Sequence, residues 1–480
     1  MFDNYNFKYK RVFEIFSQIS AIPHGSGNME AISDYVVDFA RRNGLRYIKD
    51  SANNVVVYKE ATSGFEKSEP VILQGHLDMV CQKTTESDFD FSKDGLELFI
   101  DGDFLKAKDT TLGADNGIAA AMIMAILESN DISHPYIEAV FTTDEEIGMI
   151  GAGELDISVL RSKRMINLDS EEEDVVTVSC AGGSDFRAIF DISKEKFSGQ
   201  EVTVTLKGLL GGHSGVEIDK GRVNANILAG RLLSFLSEKT DFQIISINGG
   251  DKPNAIPNLC LIKLCCENSA EFKTVCEDYL NQIKAEIKQR ESNFEFLVEI
   301  GNNGEFDVLS DKLKKDIIYV LNTTPNGVLQ MSAEIEGLVE TSLNLGILKT
   351  DTSEIIMHYA LRSNKASALS FLNRKMKILF SVTDCKTEEF GYYPPWEYRD
   401  DSKLREIYCK TYNEKFGKEP KIEAIHAGLE CAVFSSSIKG LDCIAIGPSL
   451  FDVHTVNEKM SISSAERIFS LILSVLENCK

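Results

Sequence analysis

The chain has 480 residues, 43% of them hydrophobic and 26% charged, and a formal net charge of −23. That length points to two or three domains, and the composition is that of a globular protein rather than a disordered one. So large an acidic excess excludes nucleic acid and anionic membrane surfaces as expected partners, because both demand a basic face.

The first residues, MFDNYNFKYKRVFEIF, lack the apolar core and small-residue cleavage site of a secretory signal. No run of 18 or more apolar residues occurs, so no membrane span is expected. Eleven cysteines lie scattered, Cys265 and Cys266 side by side, with no CxxC pair. That pattern reads as reduced core thiols rather than a disulfide framework or zinc finger, and the expected location is the cytoplasm.

Two helices are expected over residues 7–44, KRVFEIFSQIS and then MEAISDYVVDFARRNGL, the second closing on Gly44 after Arg41 and Arg42. NNVVVYKE and PVILQGHLDMV read as strands. ADNGIAAAMIMAILES reads as an apolar helix entered through Asp115 or Asn116. YIEAVFTTDEE and RMINLDS follow as further strands. Strands alternating with helices imply an α/β domain with a mixed sheet and helices on both faces.

The character changes after residue 186. EVTVTLKGL, NLCLIKLCCE and SEIIMHYALRS read as strands, separated by long helices such as AEFKTVCEDYLNQIKAEIKQRE. This is an α+β pattern, long enough for two similar halves. Near 385–400 the chain reads as irregular, with GYYPPWEYRDD carrying the only Trp. A helix from Ser402, the buried strand GLDCIAIGPS and a last helix from Ser463 restore the first pattern. The expected division is a catalytic domain over 1–186 and 389–480, interrupted by an inserted domain over 187–388.

FTTDEEIGMIGA places Asp144, Glu145 and Glu146 in a row after an apolar strand. Taken alone, such a run is a solvated turn. His76 and Asp78 share a face of an extended segment, which would let Asp78 fix the imidazole tautomer. Asp115 alone is a helix cap, Asp169 a strand-to-turn acid, His454 a loop histidine. Together they change the reading. Four expected strands run into His76, Glu145–Glu146, Asp169 and His454, and Asp115 opens the helix between the first two. Ligand sites of open α/β sheets lie at the carboxyl ends of strands. Nitrogen and oxygen donors without thiolate suit zinc, cobalt or manganese in hydrolysis. Five donors fit two cations if one carboxylate is shared. Neighbours on a strand point opposite ways, so one Glu of the pair can ligate while the other faces the attacking water as general base.

These residues resemble the M20 metallopeptidases, and within them the aminoacyl-histidine (Xaa-His) dipeptidase branch. QGHLDMV, TLGADNGI, TTDEEIGMIGA, NLDSEEED with the following CAGG, GGHSGVEIDKGRVNAN, NAIP, HAGLE and GPSLFDVH carry the resemblance, in order, from residue 74 to 454. It implies two divalent ions, zinc first, with cobalt or manganese as alternatives. His76, Asp115 and Asp169 would hold one; Asp115, Glu146 and His454 the other, with Asp115 bridging. Glu145 would be the general base, Asp78 the orienter of His76, and the Asp115–Asn116 peptide cis. His213 would stabilise the oxyanion, and Asn254 and Arg362 would hold the substrate's carboxylate, for which a guanidinium fork is suited. His426, Gly428 and Glu430 of HAGLE would line the substrate pocket. The insert would act as a lid, with His213 over its own active site or, in a homodimer through the lid domain, over a partner's. Where the family reads HSPDE after the last metal histidine, this chain reads HTVNE: Thr455, Val456 and Asn457 differ, while His454 and Glu458 stay.

The expected activity is hydrolysis of small dipeptides, Xaa-His such as β-alanyl-histidine among them. An N-acyl amino acid deacylase on the same site is the alternative. A metal-binding protein without catalysis is a third reading, which the complete ligand set and intact Glu pair argue against.

Overall fold

The structure, a computed structural model, describes residues 5–480. The first four residues of the N-terminal stretch discussed above lie outside them. The described chain divides into two compact units: residues 5–180, 398–424 and 429–480 belong to the first, and residues 181–397 with 425–428 to the second. The expected boundaries stood at 186/187 and 388/389.

In the first unit, the strands are β1 (Arg46–Lys49), β2 (Val55–Lys59), β3 (Val71–His76), β4 (Leu98–Asp101), β5 (Phe104–Ala107), β6 (Ile137–Thr142), β7 (Arg164–Asn167), β8 (Val175–Cys180), β9 (Lys421–Ile425), β10 (Asp442–Ala445), β11 (Leu450–Phe451) and β12 (Lys459–Ser461). Eight form one mixed sheet in the order β1-β2-β6-β3-β7-β10-β8-β9. β6, β3, β7 and β10 run parallel, so their carboxyl ends meet along one rim. β3 (VILQGH) and β6 (IEAVFT) are buried at every position, as their mostly apolar sequences suit, with Gln74, His76, Glu138 and Thr142 buried among them. A four-stranded sheet, β11-β12-β5-β4, makes residues 452–458 the loop of a hairpin.

Helices α1 (Lys10–Ser20), α2 (Glu30–Arg42) and α3 (Ala114–Glu128) surround this sheet with later helices α4 (Ile150–Glu154), α5 (Lys403–Phe416), α6 (Glu430–Ser437) and α7 (Ile462–Asn478). α1 and α2 each bury one apolar face, whereas α3 is buried all round from Asn116 to Leu127. α1 approaches α3 at Gly117, where a side chain would stand 3.2 Å from the Phe16 ring.

The second unit is a nine-stranded antiparallel sheet with helices Ala225–Lys239, Ser269–Ile287, Asp311–Thr323 and Ala366–Phe380. Phe186, Leu232, Ile262, Phe272, Ile317 and Tyr359 mark its core. Residues expected to be irregular include a strand, Cys385–Tyr393, at the sheet's end. Among the described residues it pairs only with Gly182–Asp191, and it is exposed along most of its length. An edge strand with no buried face carries no apolar alternation to be read. Among the described residues no helix is long and apolar enough to cross a membrane.

Candidate metal centre

The rim where β3, β6 and β7 end collects the expected donors. His76 is the last residue of β3 and is 1% exposed. Its Nε2 lies 3.2 Å from Asp115 Oδ1 and 3.5 Å from Asp169 Oδ1. His454 Nε2 lies 3.0 Å from Asp115 Oδ2 and 2.8 Å from Glu146 Oε1. One donor atom each from His76, Asp115 and Glu146 fits within 4.8 Å of the others. Two imidazoles and three carboxylates thus form two groups that share Asp115, one oxygen turned to each. This donor set fits two small divalent cations.

Local backbone puts these groups in place. The Asp115–Asn116 peptide is cis, as the resemblance implies. Asp115 (ψ 101°) and Asn116 are not helical, and the residue capping α3 is Gly113. The Asp115 carboxylate is therefore turned toward the histidines rather than used as a cap. Asn116 ties two strand ends together, accepting from His76 N at 3.2 Å and donating to Leu168 O at 2.8 Å. Gly75 must lack a side chain, since a Cβ would stand 2.5 Å from Asn116 Oδ1.

The acidic run needs a correction. β6 ends at Thr142, so Glu145 and Glu146 lie in a turn, with Asp144 in the left-handed region (φ 53°). Gly148 N and Met149 N both donate to Glu145 O, closing that turn. The turn, and not a strand pleat, separates the two side chains. Asp78 organises the run: its carboxylate accepts from Glu145 N (3.0 Å), Glu146 N (3.2 Å) and Ser26 Oγ (2.8 Å). His76 Nδ1 stands 3.0 Å from Asp78 O and 3.4 Å from its Oδ1. Asp78 thus holds both His76 and the Glu145 turn.

Electrostatics follow from burying so many acids together. Burial pushes the Glu145 carboxyl well above its usual value, with Asp169, Glu430 and Glu146 adding to it against His76. Burial opposes charge on His76, yet Asp169, Asp115 and Asp78 raise its pKa well above the usual value. His454 is raised to about 11, first by Asp115 and then by Glu146. Asp78 is held at about 2, burial being outweighed by His76.

HAGLE divides between the units. Glu430 is fully buried; Thr142 Oγ1 donates to it at 2.7 Å and Gln74 Nε2 is bonded to the same oxygen. It supports the β3 and β6 ends from within, which corrects its expected place on a pocket wall. His426, 5% exposed, is engaged by Ser342 Oγ (2.7 Å) and Asn364 Oδ1 (3.2 Å). Burial, then the Arg362 charge, lower its pKa to about 3. Gly428 follows in the turn, half-buried.

In the second unit a two-stranded pairing sets His213 opposite Ala255, next to Asn254. Ser214 N donates to Asn254 O at 2.9 Å. His213 Nδ1 accepts from Gly215 N and Val216 N, both at 3.2 Å, which leaves its Nε2 as the protonated donor. Arg362 donates to Tyr393 OH at 2.8 Å, while among the described residues its Nε has no hydrogen-bond partner.

Sequence reasoning did not find Ser26, Gln74 or Thr142, and it gave the Asn116 side chain and Glu458 no task. Only the glycine and amide cluster of TLGADNG offered a local signal.

The family model of peptidase family M20/M25/M40 matches residues 72–478. The cytosol non-specific dipeptidase of Escherichia coli (strain K12) is 36% identical over 470 residues, 97% of each chain. The structure of aminoacylhistidine dipeptidase from Vibrio alginolyticus superposes with a TM-score of 0.91 at 35% identity, covering 98% of this chain and 97% of that one. Aminopeptidase PepT from Bacillus cereus shares the fold at 15% identity, with a TM-score of 0.58, 98% of this chain and 99% of that one.

Proposed function

The chain belongs to peptidase family M20/M25/M40, and we propose that it hydrolyses dipeptides, Xaa-His among them, at the rim of the first unit. The names borne by the Escherichia coli relative and the Vibrio alginolyticus structure support that substrate class. The observation that carries the mechanism is the shared carboxylate: Asp115 turns Oδ1 to His76 and Oδ2 to His454.

His76, Asp115 and Asp169 would hold one divalent cation and Asp115, Glu146 and His454 the other, zinc first, with cobalt or manganese as alternatives. When bound, the pair supplies Lewis acidity and lowers the pKa of water. Glu145, on a turn fixed by Asp78, takes the proton of the attacking water and returns it to the departing amine. Burial raises its pKa above the ordinary carboxylate value, the direction that favours returning a proton. The donor Nε2 of His213 suits a developing oxyanion, and the unpaired Nε of Arg362 suits a carboxylate. The cytoplasm is the proposed location, in keeping with the name of the Escherichia coli relative.

The test is a substrate panel on zinc-loaded protein. Release of free histidine from β-alanyl-histidine and alanyl-histidine, with Nα-acyl amino acids left intact, is expected. Turnover of the blocked amino acids alone would sink the dipeptidase reading in favour of deacylation.

A further inference from the structure

Asp115 stands at the start of α3, where the first backbone N–H groups of a helix need an acceptor and where Asp is itself a favoured cap. Its carboxylate is committed to His76 and His454 instead. Gly113, at the cap position, has no side chain to offer, and its φ of 67° favours glycine. A side chain there would stand 2.8 Å from Met79 Sδ.

The missing acceptor comes from 343 residues away in sequence. Glu458 Oε2 accepts from Leu112 N at 2.8 Å and Gly113 N at 3.0 Å; its Oε1 accepts from Ala114 N at 2.9 Å and Asp115 N at 3.4 Å. Glu458 is 3% exposed. Four consecutive N–H groups, of residues 112–115 at the non-helical entry to α3, thus close around one carboxylate as an anion-binding nest. The same hairpin loop carries His454, which is braced internally: Thr455 Oγ1 donates to Asp452 O at 2.7 Å, and Glu458 N donates to Thr455 O at 3.2 Å.

We propose that Glu458 is a positioning residue for the metal centre: it gathers the 112–115 backbone at the entry to α3 and so leaves the Asp115 carboxylate free to bridge. One loop, 454–458, then supplies a ligand to the second cation and the clamp on the residue both cations share. The departure from the family at Thr455, Val456 and Asn457 leaves this clamp intact. The inference rests on the two-cation reading above.

In Glu458→Gln an amide NH₂ replaces one oxygen, so it faces two of the four N–H donors. The backbone before Asp115 must shift, and the bridge loses its aim. Zinc binding by calorimetry, and the visible absorption of the cobalt-loaded protein, read the effect without turnover. The expected result is zinc affinity about 10- to 100-fold weaker at both sites, since both share Asp115, and altered cobalt bands, all restored at high cation concentration. Unchanged zinc affinity and cobalt bands, with only a lower unfolding temperature, would reduce Glu458 to a clamp on the backbone and overturn the proposal. If the Gln variant does not fold, Glu458→Asp, one methylene shorter, is read the same way. A wild-type protein that binds a single zinc would overturn the two-cation reading itself, a result distinct from a change confined to the variant.

Discussion

Asp115 turns its two carboxylate oxygens to two different imidazoles, Oδ1 to His76 Nε2 at 3.2 Å and Oδ2 to His454 Nε2 at 3.0 Å. Asp115→Asn, with one oxygen and a neutral amide, is therefore expected to weaken both half-sites at once. Glu146→Gln removes an atom 2.8 Å from His454 and should weaken only that half. Metal analysis after dialysis against limiting zinc separates the two. Equal loss in both variants would mean that Asp115 is not shared.

Glu145 N is tied to Asp78 Oδ1 at 3.0 Å, while the Glu145 side chain has no role in either donor group. Glu145→Gln should retain both cations and the fold but lose roughly 10²- to 10⁴-fold in kcat. Near-normal turnover with full metal content would remove Glu145 from the role of base.

The histidines imply a proton count. His454 is raised to about 11 by Asp115 and Glu146, and His76 is raised well above its usual value once Asp169, Asp115 and Asp78 outweigh burial. His454 is therefore an imidazolium at neutral pH in the cation-free protein, the shift on His76 runs in the same direction, and a ligating ring nitrogen must shed its proton. Zinc binding should release protons, and affinity should rise with pH by about tenfold per unit for each proton expelled. In the cation-free chain the sign for stability is opposite. The folded pKa of His454 exceeds the unfolded one, so its contribution is complete below about pH 6.5. It fades as the pH climbs toward about 11. Calorimetry in buffers of different ionisation enthalpy counts the protons; none released at neutral pH would contradict this account.

Arg362 has a partner in Tyr393 OH at 2.8 Å and a buried Nε with none among the described residues. Arg362→Ala is expected to raise KM for free dipeptides by about tenfold or more, with kcat less affected. Dipeptide amides, which lack the carboxylate, should be little changed. Arg362→Lys should recover only part, because an ammonium lacks the planar fork. Equal losses for dipeptides and their amides would remove Arg362 from carboxylate recognition.

The alternation of strands and helices, the division into two units and the grouping of His76, Asp115, Glu146 and His454 at one rim are legible in the sequence. Their signals are local: apolar runs such as VILQG ending in a histidine, and an acid run after a buried strand. What stays hidden is long-range. Glu458 reaches back to Leu112–Asp115, Glu430 to Gln74 and Thr142, and Ser26 to Asp78. No periodicity links partners so far apart. The strand Cys385–Tyr393 is missed because its exposed edge needs no apolar pattern. The pleat argument for Glu145 and Glu146 fails because β6 stops at Thr142 and a left-handed Asp144 turns the chain.

The most direct measurement is a zinc titration of chelator-stripped protein, following alanyl-histidine hydrolysis against bound metal. A shared carboxylate between two cations predicts no turnover in the stripped protein, and turnover that is complete only when the second equivalent has bound. Full activity at one zinc per chain, or activity that survives complete stripping, would contradict the two-cation centre.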